Sequence, residues 1–330
     1  MVAIRRNQFL AALSALFVAA ASAASAQTYP TRPVTLIVPF APGAAADSTA
    51  RIVGEAMRPS LGQTVVVENM PGAGGTIGTL RAKRAPPDGY TIVFGHVGTQ
   101  AAAVSLYPAL GYDPRVDFEP LGLVASAPIL LYARKDFPAS NLREFIAYAR
   151  TRGPALNAAH NGAGSIPHLS CAMLASIGGF TPTYVPYRGT GPVMNDMMGG
   201  NVDYSCDILS SVSQQVAAGA LKGIVLAGPV RSPAVPAVET AVEAGAPDFQ
   251  VKAWIGFFAP KGTPPEVLAA LRAAVSAALD DPRTRARLAE LGSDLPSLEE
   301  RRPDYLASLV ASEIERWGKV IREQGITAAP

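Results

Sequence analysis

The sequence predicts an α/β protein of two similar lobes. Apolar runs of strand length alternate with helical patterns, which is typical of parallel sheets covered by helices. The alternation runs through two cycles, and the second starts near Ile129. Two loops of small residues, 39–47 and 161–165, each follow a strand pattern and precede a helical one on opposite sides of the expected division. We therefore expect two lobes whose loops face each other across a cleft.

The first cycle begins with a continuous apolar run at residues 34–40, as expected for a parallel strand buried on both faces. A helical pattern follows at 47–57. Further strands are predicted at 64–68 and 91–96, with a short helix at 76–84 between them. These elements predict one α/β lobe.

The second cycle repeats this alternation. Its predicted strands and helices are 129–134, 141–150, 156–159, 167–177, 183–187, 202–207 and 223–227. Two runs, 128–135 and 253–261, share a pattern of apolar residues that ends in a basic residue, and we interpret them as crossing strands of a hinge. The expected division gives residues 27–126 with 249–330 to the first lobe and 127–248 to the second.

The end of the chain is predicted to be helical. Residues 263–266, Thr-Pro-Pro-Glu, have the pattern of a capping box with proline at the first helical position. Another helix starts at Asp281 and ends at Gly292, and the last spans 303–323 with Gly325 as its stop. An apolar stripe on the last helix predicts packing against the lobes, with a partner-binding groove as the alternative.

The first 26 residues have the pattern of a secretory signal. Arg5 and Arg6 precede an uncharged run at 9–23, and Ala24-Ser25-Ala26 supplies a small-residue cleavage site. A retained membrane anchor is the alternative, but the run is shorter than the ~20 residues that a span needs. We expect cleavage near Gln27 and export to the periplasm.

Charge argues against a nucleic-acid partner. Removing Arg5 and Arg6 from the 28 Lys and Arg residues leaves 26, equal to the 26 Asp and Glu residues, so the mature chain carries no net charge. The two cysteines, Cys171 and Cys206, are consistent either with a disulfide in an oxidising compartment or with two buried thiols.

Catalytic and metal motifs are weak in this chain. Its three histidines, His96, His160 and His168, lack the spacing of a zinc helix, so no metal is expected, and no motif of the chain predicts a cofactor. Ser165 and His168 suggest an exported serine hydrolase, yet no GxSxG elbow surrounds Ser165, which is better interpreted as a helix N-cap. The glycines of residues 71–78 miss the dinucleotide-binding interval.

Four short loops combine glycine with a hydroxyl or carboxyl residue at predicted strand ends. They are Gly43 with Asp47, Gly98-Thr99, Gly164-Ser165 and Gly189-Thr190. Each could be an ordinary turn. Helix N-termini attract anions, however, and ligands of open α/β sheets bind at the carboxyl ends of strands. Together the loops predict a site for a small carboxylate.

The chain resembles the extracytoplasmic solute-binding proteins of tripartite tricarboxylate transporters, also called the Bug family. The matching blocks are 39–43 with Asp47, 67–75, 87–91, 112–114 with 117–118, 162–165 with 168–169, 185–189, 199–200 with 202–203, Asp207 and 254–260. The resemblance covers nearly the whole mature chain. It departs from the family pattern at Ala44, where a second glycine usually stands, and at Met70, which replaces a common arginine.

This resemblance implies a type II periplasmic-binding-protein fold, with two α/β lobes, two crossing hinge strands and C-terminal helices. It implies a monomeric, non-enzymatic protein that binds an organic carboxylate and delivers it to membrane permease subunits. A ligand-binding subunit of a signalling system would share the same pocket. The expected ligand-binding residues are Phe40, Gly43, Ala44, Asp47, Gly98, Thr99, Gly164, Ser165, Tyr187, Gly189, Thr190 and Asp207.

Specificity is expected to come from side chains around these loops. Candidates are His96, Gln100, Asn161 and Arg188. Arg188 is suited to pairing a second carboxylate of the ligand, and equally to tying a loop to a neighbouring acid. Dicarboxylates, tricarboxylates, acidic amino acids and aromatic acids all remain open as ligands.

Overall fold

The computed structural model describes residues 29–43 and 45–327. The predicted signal peptide and Ala44 lie outside the described residues. Within the described part, the strands are β1 (Val34–Val38), β2 (Val65–Asn69), β3 (Thr91–His96), β4 (Phe118–Arg134), β5 (Asn157–His160), β6 (Thr183–Pro186), β7 (Tyr204–Ile208), β8 (Leu221–Ala227) and β9 (Lys252–Pro260).

Of the ten α-helices that the described residues form, seven match predicted segments, whereas Ala103–Leu106, Thr190–Met198 and Leu209–Ala217 were not predicted. In chain order, the ten are α1 (Ala45–Leu61), α2 (Thr76–Lys83), α3 (Ala103–Leu106), α4 (Leu142–Arg152), α5 (Ile166–Gly178), α6 (Thr190–Met198), α7 (Leu209–Ala217), α8 (Pro265–Asp280), α9 (Pro282–Glu290) and α10 (Pro303–Glu323). A short π-helix, Gly98–Ala102, leads directly into α3.

The strands form two α/β lobes that share the long strand β4. In the first lobe, β1 pairs in parallel with β2 and β3, and β9 is antiparallel to both β3 and the first part of β4. In the second lobe, β5 pairs in parallel with β6 and β7, while β7 and β8 flank the last part of β4. Consequently β4 passes from one lobe to the other near Pro128.

The predicted strand at 129–134 is only the second part of β4. The strand begins eleven residues earlier, at Phe118. Pro120 and Gly122 interrupt the strand pattern of this first part, and the pairing with β9 shifts register between these two residues. Proline removes a ladder donor and glycine weakens a strand, so both are tolerated at such irregularities while hiding the strand pattern.

The core explains why the elements form where they do. Strand β1 is buried on both faces: Leu36 packs with residues of α1 and α8, and Ile37 packs in the cluster on the other face. The apolar stripe of α10 is buried, which confirms its packing role.

The predicted capping box at 263–266 is wrong. The Thr263 hydroxyl donates to the carbonyl oxygen of Pro260 at 2.8 Å, and α8 has Pro264 as its N-cap without a side-chain cap. Proline at the first helical position is confirmed. The Asp281 start and the final helix at 303–323 are also confirmed.

Cys171 on α5 and Cys206 on β7 are two buried free thiols. Burial raises the pKa of the Cys206 thiol, and Cys171 beside it raises the pKa further. Because both cysteines are buried, they should resist a thiol-specific chromogenic reagent in the native protein and react once guanidinium unfolds it. A mass change on reduction of the unfolded protein would contradict this expectation.

Candidate functional site

The predicted site residues lie at the ends of neighbouring strands. β1 and β3 are parallel neighbours, so the loops that carry Gly43 and Gly98 leave the same edge of the first sheet. β5 is parallel to both β6 and β7, so the segments with Gly164, Gly189 and Asp207 leave one edge of the second sheet. Each lobe therefore gathers its own set of predicted residues.

In the first lobe, Phe40, His96 and Thr99 form one cluster. The rings of Phe40 and His96 lie 4.7 Å apart between centroids. The backbone amide of His96 donates to Oγ1 of the buried Thr99 at 3.2 Å. Gly75, which sequence reasoning missed as a site element, packs here: a Cβ added to it would lie 2.8 Å from Cγ2 of Thr99.

Asp47 is an internal anchor of the first loop. Its carboxylate accepts hydrogen bonds from the Gly43 amide at 3.0 Å, from Nε of Arg51 at 3.0 Å and from Nδ2 of Asn69 at 2.9 Å. Asn69 also donates to the carbonyl oxygen of Phe40. The hydrogen bond from Arg51 is the main reason that the pKa of Asp47 falls to about 2. The Gly43 amide therefore serves the turn, and its φ of 80° explains the glycine.

His96 is the last residue of β3, whereas Gln100 lies in the π-helix Gly98–Ala102 that follows it. Gln100 folds over Gly95, where an added Cβ would lie 2.6 Å from Cγ of Gln100 and 2.6 Å from the Phe258 ring. The His96 ring instead packs on Phe40. Gly95 and His96 are successive strand residues that face opposite sides of β3, so Gln100, which covers Gly95, lies on the side away from the His96 ring.

In the second lobe, the turn at 162–165 is built around two histidines. The Gly162 amide donates to Nδ1 of His160 at 3.1 Å, and the Gly164 amide donates to Nδ1 of His168 at 3.2 Å. Ser165 is the N-cap of α5, as predicted, and accepts from the His168 amide. Accepting this bond leaves the Ser165 hydroxyl hydrogen for a ligand, whereas Nδ1 of His168 is already occupied.

Asp207 joins three second-lobe segments. It is 3% exposed and accepts from the Thr190 hydroxyl at 2.5 Å and from Nδ2 of Asn161 at 3.4 Å. Asn161 also donates to Oγ1 of Thr190. Burial raises the pKa of Asp207, and the hydrogen bonds from Thr190 and Asn161 oppose that rise. The network ties the ends of β5 and β7 to the start of α6.

Tyr187 and Arg188 point to different roles. The Tyr187 hydroxyl donates to Asp196 on α6 at 2.6 Å, so it braces that helix. Arg188 is exposed. Met70, one of the two departures from the family pattern, packs against the core.

The two loop sets meet at Gly164 and Leu106. A Cβ added to Gly164 would lie 2.5 Å from Cδ1 of Leu106, the last residue of α3. That helix continues the segment that starts with Gly98 and Thr99. The second-lobe turn thus touches the first-lobe segment that carries predicted site residues.

Two cavities lie elsewhere. One of about 330 Å³ separates α1 from α9, and one of about 150 Å³ lies between the start of β9 and α10. No predicted site residue lines either cavity. Across residues 29–43 and 45–327, no cluster of three or more His, Cys, Asp and Glu side chains could hold a metal ion. No helix in the same ranges is long and apolar enough to cross a membrane.

Two α/β lobes joined through shared strands, with small-residue loops at the carboxyl edges of both sheets, define a periplasmic binding protein of type II. The chain belongs to the tripartite tricarboxylate transporter receptor family, whose profile matches residues 49–326. The resemblance found in the sequence is therefore confirmed.

Solved structures of similar proteins support the fold. MatC from Rhodopseudomonas palustris with bound malate is 46% identical, covers 89% of this chain and 100% of its own, and has a TM-score of 0.77. The periplasmic binding protein BugD is 40% identical over 91% of this chain and 100% of its own, with a TM-score of 0.76. Rpa4515 of R. palustris with adipate is 32% identical over 91% of this chain and 100% of its own, with a TM-score of 0.77.

The family consists of periplasmic solute-binding proteins. The chain is therefore a solute-binding protein, and the hydrolase alternative is wrong. The geometry agrees: Ser165 accepts from the His168 backbone amide, and the His168 side chain holds the Gly164 amide.

Proposed function

We propose that this chain is exported to the periplasm, captures a small organic carboxylate between its two lobes and delivers it to the membrane subunits of a tripartite tricarboxylate-type transporter. The lobes comprise residues 27–126 with 249–330, and 127–248. The observation that carries the proposal is the contact of Gly164 with Leu106, which joins the two loop sets. The relatives with bound malate and adipate make a dicarboxylate the first choice of ligand.

The carboxylate is held at the start of α6. Gly189, its N-cap, has no side chain with which to cap the helix, so the first-turn amides of α6 are left for an anion. At α5, by contrast, Ser165 already accepts from the His168 amide and offers its own hydroxyl hydrogen. The carboxylate of Asp207 accepts a hydrogen bond from the Thr190 hydroxyl at 2.5 Å, and this bond holds the start of α6 in place.

Closure follows from contacts made on both sides of the cleft. A ligand shifts a two-state equilibrium only by its difference in affinity for the two states. Phe40 and Thr99 in the first lobe, and Ser165 and Gly189 in the second, contact the same acid only when the lobes are closed. The membrane subunits then receive the closed, loaded form.

A panel of acids tests the binding proposal. Thermal unfolding is measured with malate, adipate, succinate, citrate, glutamate and benzoate, and with dimethyl malate as a neutral control. At a hundred times its dissociation constant, a true ligand should add about 2.7 kcal/mol of stability. No shift with any acid, together with no co-purified acid in native mass spectrometry, would contradict the proposal.

Delivery is tested separately. Cells that carry the cognate membrane subunits should accumulate the radiolabelled acid only when the binding protein is present. Accumulation without the protein would contradict the transport role while leaving ligand binding intact.

A further inference from the structure

All three histidines of the chain accept a glycine amide hydrogen through Nδ1. His96 accepts from Gly98 at 2.8 Å, His160 accepts from Gly162 at 3.1 Å and His168 accepts from Gly164 at 3.2 Å. Two of these pairs have the same spacing, His-x-Gly, at the ends of β3 and β5 in different lobes. Every one of the three glycines lies in a loop that carries predicted site residues.

These bonds set the protonation state of the rings. An imidazole nitrogen that accepts a hydrogen bond carries no proton, so a neutral ring must hold its proton on Nε2. Burial agrees with neutral rings, since it lowers the pKa of His96 to about 4 and that of His168 to about 3. His160 and His168 also stack with centroids 4.1 Å apart, where two cations would repel each other.

His96 differs from the other two at its second nitrogen. Nε2 of His96 is buried and has no hydrogen-bond partner within the described part of the chain. With Nδ1 engaged by Gly98, this atom is an N–H donor. A buried donor without an acceptor is destabilising, because it has lost its hydrogen bond to water without replacement. The ring lies against Phe40 and over Gly98, both predicted to contact ligand.

We propose that His96 donates a hydrogen bond from Nε2 to the bound acid, and that His160 and His168 are positioning residues that hold the 162–165 turn. The role of His96 rests on the proposed function, because it requires an acid in the cleft. An oxygen of the ligand, either a carboxylate or a hydroxyl, satisfies the donor. The positioning role predicts that affinity for the acid depends on the Nδ1 atom with which His160 and His168 accept a glycine amide. It also predicts that affinity does not depend on the charge of either ring.

Side-chain isosteres separate these roles. Asn places an oxygen near the position of Nδ1, and Gln places an amide near that of Nε2. His96→Asn keeps the acceptor for Gly98 and removes the donor, so its affinity for L-malate and adipate should fall about tenfold, which corresponds to one lost hydrogen bond. His168→Asn should stay within about threefold of the unaltered protein, whereas His168→Phe, which lacks an acceptor, should lose about tenfold or more.

Isothermal titration with both acids and nitrogen-resolved NMR of the imidazoles provide the readouts. All three rings should show Nε2–H tautomers without ligand, and the His96 Nε2–H resonance should shift when acid binds. Unchanged affinity in His96→Asn would overturn the donor role, and equal losses in His168→Asn and His168→Phe would overturn the positioning role. Failure of the unaltered protein to bind any acid would instead contradict the proposed function, while the tautomers would still test the glycine contacts.

Discussion

Asp47→Ala is expected to lower the free energy of unfolding by about 2–3 kcal/mol at pH 7. The side chain of Asp47 is 6% exposed and joins Arg51, Asn69 and the Gly43 amide. Its removal leaves the Gly43 amide, Nε of Arg51 and one hydrogen of the Asn69 amide without their acceptor and releases the first-lobe loop. Urea unfolding followed by circular dichroism measures the loss.

Asp47→Asn isolates the charge and predicts a pH dependence. A carboxyl group whose pKa falls from 3.8 to about 2 on folding contributes at most about 2 kcal/mol at neutral pH. Because the folded pKa is the lower one, this stability is present above about pH 4 and is lost as the pH falls through about 2. The difference between Asp47→Asn and the unaltered protein should therefore shrink over that window.

Glu55→Gln on the same helix is the matched control. Glu55 pairs with Arg287 at 2.9 Å, but its side chain is 73% exposed, so its loss should cost less than about 1 kcal/mol. Similar losses of stability in Glu55→Gln and Asp47→Asn would show that the buried network of Asp47 contributes no more than an exposed ion pair.

Elements with strong local patterns could be predicted from the sequence. The bounds of α10 follow from Pro303 at its start, an apolar stripe and Gly325 after its end, and β1 follows from a continuous apolar run. The first part of β4 could not be predicted in the same way. Pro120 and Gly122 break its pattern, and only pairing with β9 from the far end of the chain makes it a strand.

The clustering of the predicted loops at the strand ends of each lobe followed from the sequence, but their hydrogen-bond partners did not. Glycines after strands marked the loops, since local spacing reveals turns. The contacts that these loops make depend on the fold, however. Asn69 at the end of β2 donates to Asp47, and Leu106 of the first lobe contacts Gly164 of the second. His-x-Gly at 96–98 and 160–162 is a local signal of the same kind, repeated in both lobes.

Gly164→Ala is expected to weaken binding of the acid about tenfold to a hundredfold. Gly164 has a φ of 73°, which costs an alanine about 1 kcal/mol or more. The new Cβ would also lie 2.5 Å from Cδ1 of Leu106, whose side chain is buried and has little room to move. Overpacking of this kind typically costs about 1–3 kcal/mol. The strain falls where the loops of the two lobes meet, so it opposes closure as well as folding.

Gly200→Ala controls for the free-energy cost of placing an alanine at a positive φ. Gly200 has a φ of 78° in the turn after α6, and an added Cβ there would meet no atom within 4 Å. That variant should lose about 1 kcal/mol of stability and keep its affinity for acid, measured by calorimetry on the same panel. Adding Leu106→Ala to Gly164→Ala should restore part of the lost affinity, because it removes the clash and leaves the backbone strain. If Gly164→Ala binds acid as tightly as Gly200→Ala, closure does not bring Gly164 against Leu106, and the two loop sets do not grip one ligand.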